Sequence, residues 1–274
     1  MADYTDILYT VEGPLGIITL NRPQYRNAQS HHLLDEIDAA FDQATADPSV
    51  SVIIVRGSGG NFSSGHDLGT PEAEEYRRIA NIPEGIARYD DFKKYNVDLL
   101  LKWRNCPKPT IAMVEGYCIY AGWMLAACMD LVFASADARF LAGFVEYMSI
   151  PWDVGVKKAK ELCFESRFIT AEEAREFGFV NRVYPQDQLE HETYAYAIRV
   201  SENTPVMLRF SKIAMNKAQD LQGYTNHLED EIGDYVAMQS YRGAGRAEGG
   251  ERRLASVDLA VRGLKGQRYG LDPQ

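Results

Sequence analysis

The sequence predicts an α/β fold in which buried, largely parallel strands alternate with helices. The chain has 274 residues, of which 46% are hydrophobic, enough to bury one sizeable core. Short, mostly apolar runs of strand type alternate with segments whose apolar residues follow the spacing of one helical face. After Pro185 this strand pattern ends and the remainder is helical in pattern. We therefore expect a core domain over residues 1–187 and a helical oligomerisation region over residues 188–274.

The first half of the core supplies the clearest elements. A β-rich run over residues 16–20 ends at Asn21-Arg22-Pro23, and residues 30–46 carry the apolar spacing of an amphipathic helix. A mostly apolar strand over residues 50–55 follows and ends at the Gly-Ser-Gly-Gly run of residues 57–60. This strand, helix, strand order is typical of parallel sheets.

The same order then recurs and gives way to helices. A helix over 96–103 precedes a strand over 110–114, a glycine-containing turn, a helix over 122–129 and a strand over 131–134. Four helical segments complete the chain, at residues 189–201, 205–221, 227–241 and 249–262. Because these helices offer little core of their own, we expect them to pack onto a neighbouring subunit.

Composition narrows the range of partners. A formal charge of −10 disfavours nucleic acid or an anionic membrane as the main partner. We find neither a secretory signal nor an apolar run long enough to span a bilayer, and the four cysteines are widely spaced without a CxxC pair. We expect a cytoplasmic protein with no metal, because metal-ligand spacing is lacking, and no dinucleotide, because no GxGxxG follows a strand.

Two glycine-containing turns are the candidate functional segments. The first is Asn-Phe-Ser-Ser-Gly-His-Asp-Leu at residues 61–68, and the second spans residues 114–125. Each lies between a strand and a helical segment. Two such turns can direct two backbone N–H groups at one point, and such a pair binds an oxyanion. A helix N-terminus behind the second turn would add its partial positive charge.

In these segments the sequence resembles the crotonase (enoyl-CoA hydratase/isomerase) superfamily. Asn21-Arg22-Pro23 with Arg26-Asn27-Ala28 resembles its opening signature, and residues 62–68 are similar to its F-S-A-G-x-D-L turn. Residues 116–130 resemble the second, glycine-rich turn and its helix, and residues 169–183 the closing segment. No single piece is specific, but their order along most of the chain identifies the family.

The resemblance implies a crotonase-like spiral of ββα units with a helical C-terminal trimerisation region, assembled as a homotrimer or homohexamer. It implies an acyl-CoA thioester as substrate, with coenzyme A as part of that substrate and no separate cofactor. The backbone N–H groups of His66 and Ala121 would hold the thioester oxygen. Residues near these donors and in the opening signature would bind substrate: Arg26, Ala28, Ser64, Asp67, Leu68, Gly122 and Met124.

The departures from the family pattern bear on the reaction. Met124 stands where the hydratases have one glutamate, and methionine has no proton to exchange. The segment after Phe140 is shorter than in the family and lacks the second glutamate. Ordinary hydration is therefore not expected. Isomerisation, C–C bond hydrolysis of the β-diketone type, atypical hydration and silent binding of acyl-CoA remain open.

Two acids near the shortened loop are candidates for proton transfer. Asp153 resembles the acid that β-diketone hydrolases and an aromatic dehalogenase of the superfamily place just past this loop. Glu146 lies nearer the position of the family's second acid and is slightly favoured. Either could instead be a surface carboxylate, since Lys157 and Lys158 are close in sequence. The side chain of His66 is a further alternative, whereas His31 and His32 are expected mainly to cap a helix or face solvent, with substrate contact possible.

Overall fold

The computed structural model describes residues 4–82, 86–142, 147, 149–244 and 256–264. Its larger sheet has six strands in the order β1-β2-β3-β4-β6-β9, and its smaller sheet has three in the order β5-β7-β8. The strands are β1 (Ile7–Glu12), β2 (Leu15–Leu20), β3 (Val52–Gly57), β4 (Thr110–Val114), β5 (Tyr117–Ile119), β6 (Leu131–Ser135), β7 (Arg139–Leu141), β8 (Ile169–Thr170) and β9 (Arg182–Tyr184).

Helices connect the strands and form the C-terminal part. They are α1 (His31–Ala46), α2 (Pro71–Ala80), α3 (Ile86–Lys93), α4 (Leu99–Arg104), α5 (Ala121–Ala127), α6 (Ile150–Val154), α7 (Val156–Glu165), α8 (Ala171–Glu176), α9 (Gln186–Ser201), α10 (Pro205–Leu221), α11 (Tyr224–Ala244) and α12 (Ser256–Leu264). A 3₁₀ turn, Pro23–Tyr25, precedes α1, and a π-helical segment, Lys94–Asp98, joins α3 to α4. None of the described helices combines the length and apolar character needed to cross a bilayer.

The large sheet confirms the predicted α/β class. Strand β1 pairs with β2 in an antiparallel sense, and every later pair in this sheet is parallel. All residues of β2 and β4 are buried, which explains why their sequences are continuous apolar runs without alternation. Both faces of the sheet are covered by helices, as parallel strands require.

Two apolar layers cover the sheet. The main core joins the buried faces of α1, α4 and α5 to one side of the strands. On the other side, Leu189 and Ala197 of α9 pack against a cluster that includes Ile17, Ile54 and Phe133. The helical C-terminal part is therefore anchored on its own chain through α9. Helix α11 adds to that anchoring, because its Leu228 and Ile232 lie in the main core.

Several short elements were not predicted from the sequence. Strand β1 was missed because five of its six residues are at least partly exposed, so its sequence lacks a continuous apolar run. Strands β5, β7 and β9 have three residues each, which is too short for a periodicity to emerge. Within the described ranges β9 is the last strand, and only helices follow it. The helix expected over 249–262 is seen as α12 from Ser256, and residues 245–255 lie outside the described part.

Candidate active site

The first turn follows β3 and is held by the buried side chain of Asn27. Its Nδ2 donates to the carbonyls of Ser58 at 2.9 Å and Asn61 at 2.7 Å, and its Oδ1 accepts from the Arg22 amide at 3.0 Å. One amide side chain thus joins the opening signature to the beginning of the turn. It provides hydrogen-bond partners for three backbone groups at this junction.

The two glycine-containing turns pair directly through their backbones. The amide of Ser63 donates to the Tyr117 carbonyl at 2.9 Å, and the Ser63 carbonyl accepts from the Ile119 amide at 3.0 Å. One residue earlier in the first turn, the Phe62 amide donates to the Glu115 carbonyl at 2.8 Å. The turn at 61–68 and the segment around β5 therefore lie side by side, as the sequence suggested.

Glycine is required where the turns come closest. Gly65 has φ +93°, and a Cβ built there would lie 2.8 Å from the Ile119 carbonyl oxygen and 3.5 Å from the Ala121 nitrogen. A Cβ on Gly122 would lie 2.7 Å from the Ser63 carbonyl oxygen. Both contacts are too short for a side chain. Without a Cβ, Gly65 can lie against Ile119 and Tyr120, directly before Ala121. Without a Cβ, Gly122 can lie against Ser63.

Gln29 connects both turns and was missed by the sequence reasoning. Its backbone brackets His66, because its amide donates to Gly65 at 2.8 Å and its carbonyl accepts from Asp67 at 3.0 Å. Its side-chain Nε2 lies 3.1 Å from the Ala121 carbonyl and 3.2 Å from Ser63 Oγ. The one sequence signal was its place directly after the Arg-Asn-Ala signature.

The two predicted oxyanion donors lie on either side of this contact. His66 follows Gly65 directly. Ala121 is the first residue of α5, so its amide has no acceptor within the helix. The preceding residue, Tyr120, has φ 47° and ψ −107°, an uncommon conformation for a side-chain-bearing residue. Such strain persists only where the surrounding contacts impose it, and it is concentrated at functional sites.

The predicted substrate-binding residues of the opening signature differ in exposure. Arg26 is exposed, and its guanidinium carbon lies 5.9 Å from the centroid of the Tyr117 ring. Ala28 is buried, and its carbonyl accepts from Arg22 Nη1 at 2.7 Å. Ser64 uses its amide to bind the Arg26 carbonyl at 2.9 Å, so the first turn lies along the signature.

Of the two residues that follow His66, one is buried in an ion pair. Asp67 Oδ2 lies 2.8 Å from Arg22 Nη1, whose side chain is 2% exposed, and Asp6 lies on the same guanidinium at 3.4 Å. Burial acts to raise the pKa of Asp67, but hydrogen bonds from Thr70 and Arg22 outweigh it and leave the pKa below its ordinary value. Leu68, in contrast, is exposed.

Met124 and Trp123 lie beyond the second donor on α5, both buried. The Trp123 indole stacks on Phe179 with 4.1 Å between ring centroids and meets Phe140 edge-on at 6.0 Å. Gly122, between Ala121 and Trp123, contacts the first turn as described above. Met124 belongs to the same buried apolar cluster as Trp123, Phe140 and Phe179.

Asp153 is placed by α6 against the indole of Trp123. Its Oδ2 accepts from Trp123 Nε1 at 3.1 Å and from Ser149 Oγ at 2.8 Å. Burial raises the pKa of Asp153 to about 6, and those two hydrogen bonds oppose the rise without cancelling it. Asp153 also borders a cleft of about 680 Å³, together with Arg104, Lys212 and Tyr224. A carboxyl with this pKa can exchange protons near neutral pH.

The other predicted acid, Glu146, lies outside the described residues. Its sequence neighbour Tyr147 is described and buried, and its hydroxyl lies 3.0 Å from that of Tyr224. Within the described ranges, no group of three or more histidine, cysteine, aspartate or glutamate side chains could hold a metal ion.

Comparison with known proteins identifies the family. The family model for enoyl-CoA hydratase/isomerase matches residues 11–248. The chain belongs to this family, and thereby to the crotonase superfamily. It is 36% identical over 241 residues to EchA13 of Mycobacterium tuberculosis, named as an enoyl-CoA hydratase, a match covering 80% of this chain and 75% of that protein.

Solved structures of the family agree. A probable enoyl-CoA hydratase from Mycobacterium smegmatis matches with a TM-score of 0.76 and 38% identity, covering 83% of this chain and 91% of that one. An enoyl-CoA hydratase/isomerase from Xanthobacter autotrophicus Py2 matches with a TM-score of 0.79 and 32% identity, covering 96% and 95%. The crotonase fold implied by the sequence resemblance is thus confirmed.

The contact at Gly65 predicts a specific cost of substitution. Gly65→Ala should lower the free energy of unfolding by about 1–3 kcal/mol, because its φ is unfavourable for alanine and its Cβ would collide with the Ile119 carbonyl. Urea denaturation measures this loss. Gly69→Ala is the matched control, since a Cβ at Gly69 meets nothing within 4 Å. Equal stability of the two variants would contradict the close approach.

Proposed function

We propose that this member of the family is an enzyme acting on an acyl-CoA thioester whose carbonyl oxygen binds the amides of His66 and Ala121. The observation that carries the proposal is the direct pairing of the two turns, with Gly65 against Ile119 and Ala121. Two fixed N–H groups on neighbouring turns stabilise negative charge on oxygen without reorganising during the reaction. The charge would be that of a thioester enolate or of a tetrahedral oxyanion.

The surroundings of the turns support the coenzyme A part of this assignment. Arg26 is an exposed cation next to the first turn, and it belongs to the signature that in the family runs along coenzyme A. An arginine there suits phosphate groups, because its planar fork binds them in bidentate fashion. The overall charge of −10 does not oppose this, since phosphate recognition is local. We propose no cofactor other than the coenzyme A carried by the substrate.

The residues available for proton transfer argue against ordinary hydration. Met124 is inert as an acid or base and is buried in the main apolar core. Asp153 is a better candidate, because its pKa of about 6 lets it act near neutral pH. In such a role Asp153 would serve the substrate β-carbon or an attacking water. A carboxylate that activates water as a general base also agrees with the second candidate, C–C bond hydrolysis of the β-diketone type.

The first test distinguishes an enzyme from a protein that binds acyl-CoA without catalysing a reaction. Purified protein should bind butyryl-CoA more tightly than free coenzyme A in calorimetry, because only the thioester offers the carbonyl oxygen. Crotonyl-CoA hydration should be slower than in an ordinary hydratase by about 10²–10⁴-fold, the usual contribution of one positioned acid or base. Binding without turnover across a panel of enoyl- and β-ketoacyl-CoAs favours the silent binder. Absence of binding refutes the proposal, and fast hydration refutes its atypical chemistry.

A second test concerns Asp153. Once a turned-over substrate is identified from that panel, Asp153→Asn should reduce kcat by about 10²–10⁴-fold while leaving acyl-CoA affinity largely unchanged. If the carboxylate acts as base, wild-type kcat should rise with pH through about 6, where the group ionises. Asp187→Asn, in the first turn of α9, is the control. Full activity of Asp153→Asn would remove this residue from the mechanism.

We also propose that the protein assembles as a homotrimer or homohexamer through its C-terminal helices. Helix α10 supports this, because six of its large apolar side chains are exposed on a single chain: Val206, Met207, Phe210, Ile213, Met215 and Leu221. Apolar surface of this kind marks interaction sites. Light scattering should give three or six times the chain mass of 30.8 kDa. A mass of one chain would contradict the assembly.

A further inference from the structure

His31 lies in a cage of aromatic and acidic side chains close to the first turn. Its ring stacks on Tyr76 with 3.8 Å between centroids and a 10° angle, and Tyr95 meets it edge-on at 4.4 Å. Its Nε2 faces Asp91 Oδ2 at 3.8 Å. Three separate elements, α2, α3 and the π-helical segment, thus fix one imidazole at the start of α1.

The cage is itself held by hydrogen bonds. The Tyr76 hydroxyl donates to Asp91 Oδ1 at 3.1 Å, so the same carboxylate faces both the imidazole and the phenol stacked on it. The Tyr95 hydroxyl donates to Asp35 Oδ2 at 3.1 Å. A helix-capping or freely exposed histidine would not need this arrangement. The side chain is one-third exposed and therefore still accessible from solvent.

The chain path brings this imidazole to the candidate oxyanion site. His31 stands two residues after Gln29, whose backbone brackets His66 and whose side chain reaches the Ala121 carbonyl. Ser30 between them is extended, with ψ 162°, so the side chains on either side of it leave the chain in similar directions. His31 and His66 are also close enough for each charge to affect the other.

We infer that His31, oriented by Asp91, transfers the proton at the α-carbon of the bound thioester. The inference rests on the proposed function. The neutral imidazole takes the proton, and the C–H electron pair becomes the enolate whose oxygen is held by the two amides. The resulting imidazolium then returns the proton to the α-carbon or to the conjugated carbon beyond it. Nothing else is consumed, so the step is balanced.

The electrostatic surroundings suit a base near neutral pH. Burial lowers the pKa of His31, while the charge of Asp91 acts in the opposite sense. The remaining groups with an influence are His66 and Lys94, which lower it, and Asp35, which raises it. The pKa of Tyr95 is raised to about 12 and that of Tyr76 is raised further, both mainly by burial, so the two phenols stay neutral. Burial thus favours the uncharged imidazole, which is the form that accepts a proton.

Exchange of α-hydrogens tests the inference without knowledge of the natural reaction. Butyryl-CoA is incubated with the protein in neutral D₂O, and loss of the α-proton signal is followed by NMR. His31→Gln should slow the exchange at least about 100-fold at unchanged butyryl-CoA affinity. His32→Gln is the matched control, because this neighbouring histidine contacts Thr5 and Glu36 instead. The His32→Gln variant should catalyse α-hydrogen exchange at the wild-type rate.

Asp91→Asn supplies a readout that a structural role would not produce. Without the carboxylate charge the imidazole pKa falls, so the pH at which exchange becomes half-maximal should shift downward. Wild-type exchange in His31→Gln, or absence of exchange in a wild-type protein that binds butyryl-CoA, overturns the inference and leaves the proposed function intact. Loss of binding in His31→Gln also overturns it. Failure of the wild type to bind refutes the proposed function itself.

Discussion

The Ser63 amide donates to Tyr117 and the Ser63 carbonyl accepts from Ile119, so a single residue of the first turn is paired on both sides with the second turn. Each such bond contributes only about 0.5–1.5 kcal/mol net. Their effect is geometric. They bring two loops from distant parts of the sequence to backbone contact distance, and the missing Cβ atoms of Gly65 and Gly122 permit it. The two predicted oxyanion donors, His66 and Ala121, are positioned relative to this pair.

The opening signature also holds the two turns together. Arg22 is buried against Asp67, next to His66, and also bonds the Ala28 carbonyl. Removing Arg22 would leave the buried carboxylate of Asp67 without its charge partner, which is far more costly than the pair is stabilising. Gln29 then brackets His66 and reaches Ala121. A stretch that the family resemblance assigns to coenzyme A contact thus also holds the turns in place.

The sequence predicted the features that are visible in consecutive residues or in the order of the family's motifs. Apolar runs such as β2 and β4, and the two glycine turns, were recognisable because each is written in consecutive residues. Contacts between remote residues were not recognisable. The indole of Trp123 that binds Asp153, and the Tyr76 and Asp91 that hold His31, are 30 to 60 residues away in sequence. For that reason His31 was expected mainly to cap a helix, and Asp153 could not be separated from a surface carboxylate.

The burial of Asp153 also links folding to proton uptake. The pKa of this carboxyl is ordinarily 3.8, and in the folded chain it is about 6. The folded chain therefore keeps the proton over a pH interval in which the unfolded chain has already lost it. The folded chain therefore binds more protons between those two values, and unfolding there releases one. It follows that this group favours the folded state most at the acidic end and loses that contribution as the pH rises through about 6. A carboxyl poised for chemistry at neutral pH is thus kept at the expense of conformational stability under the conditions in which it is ionised.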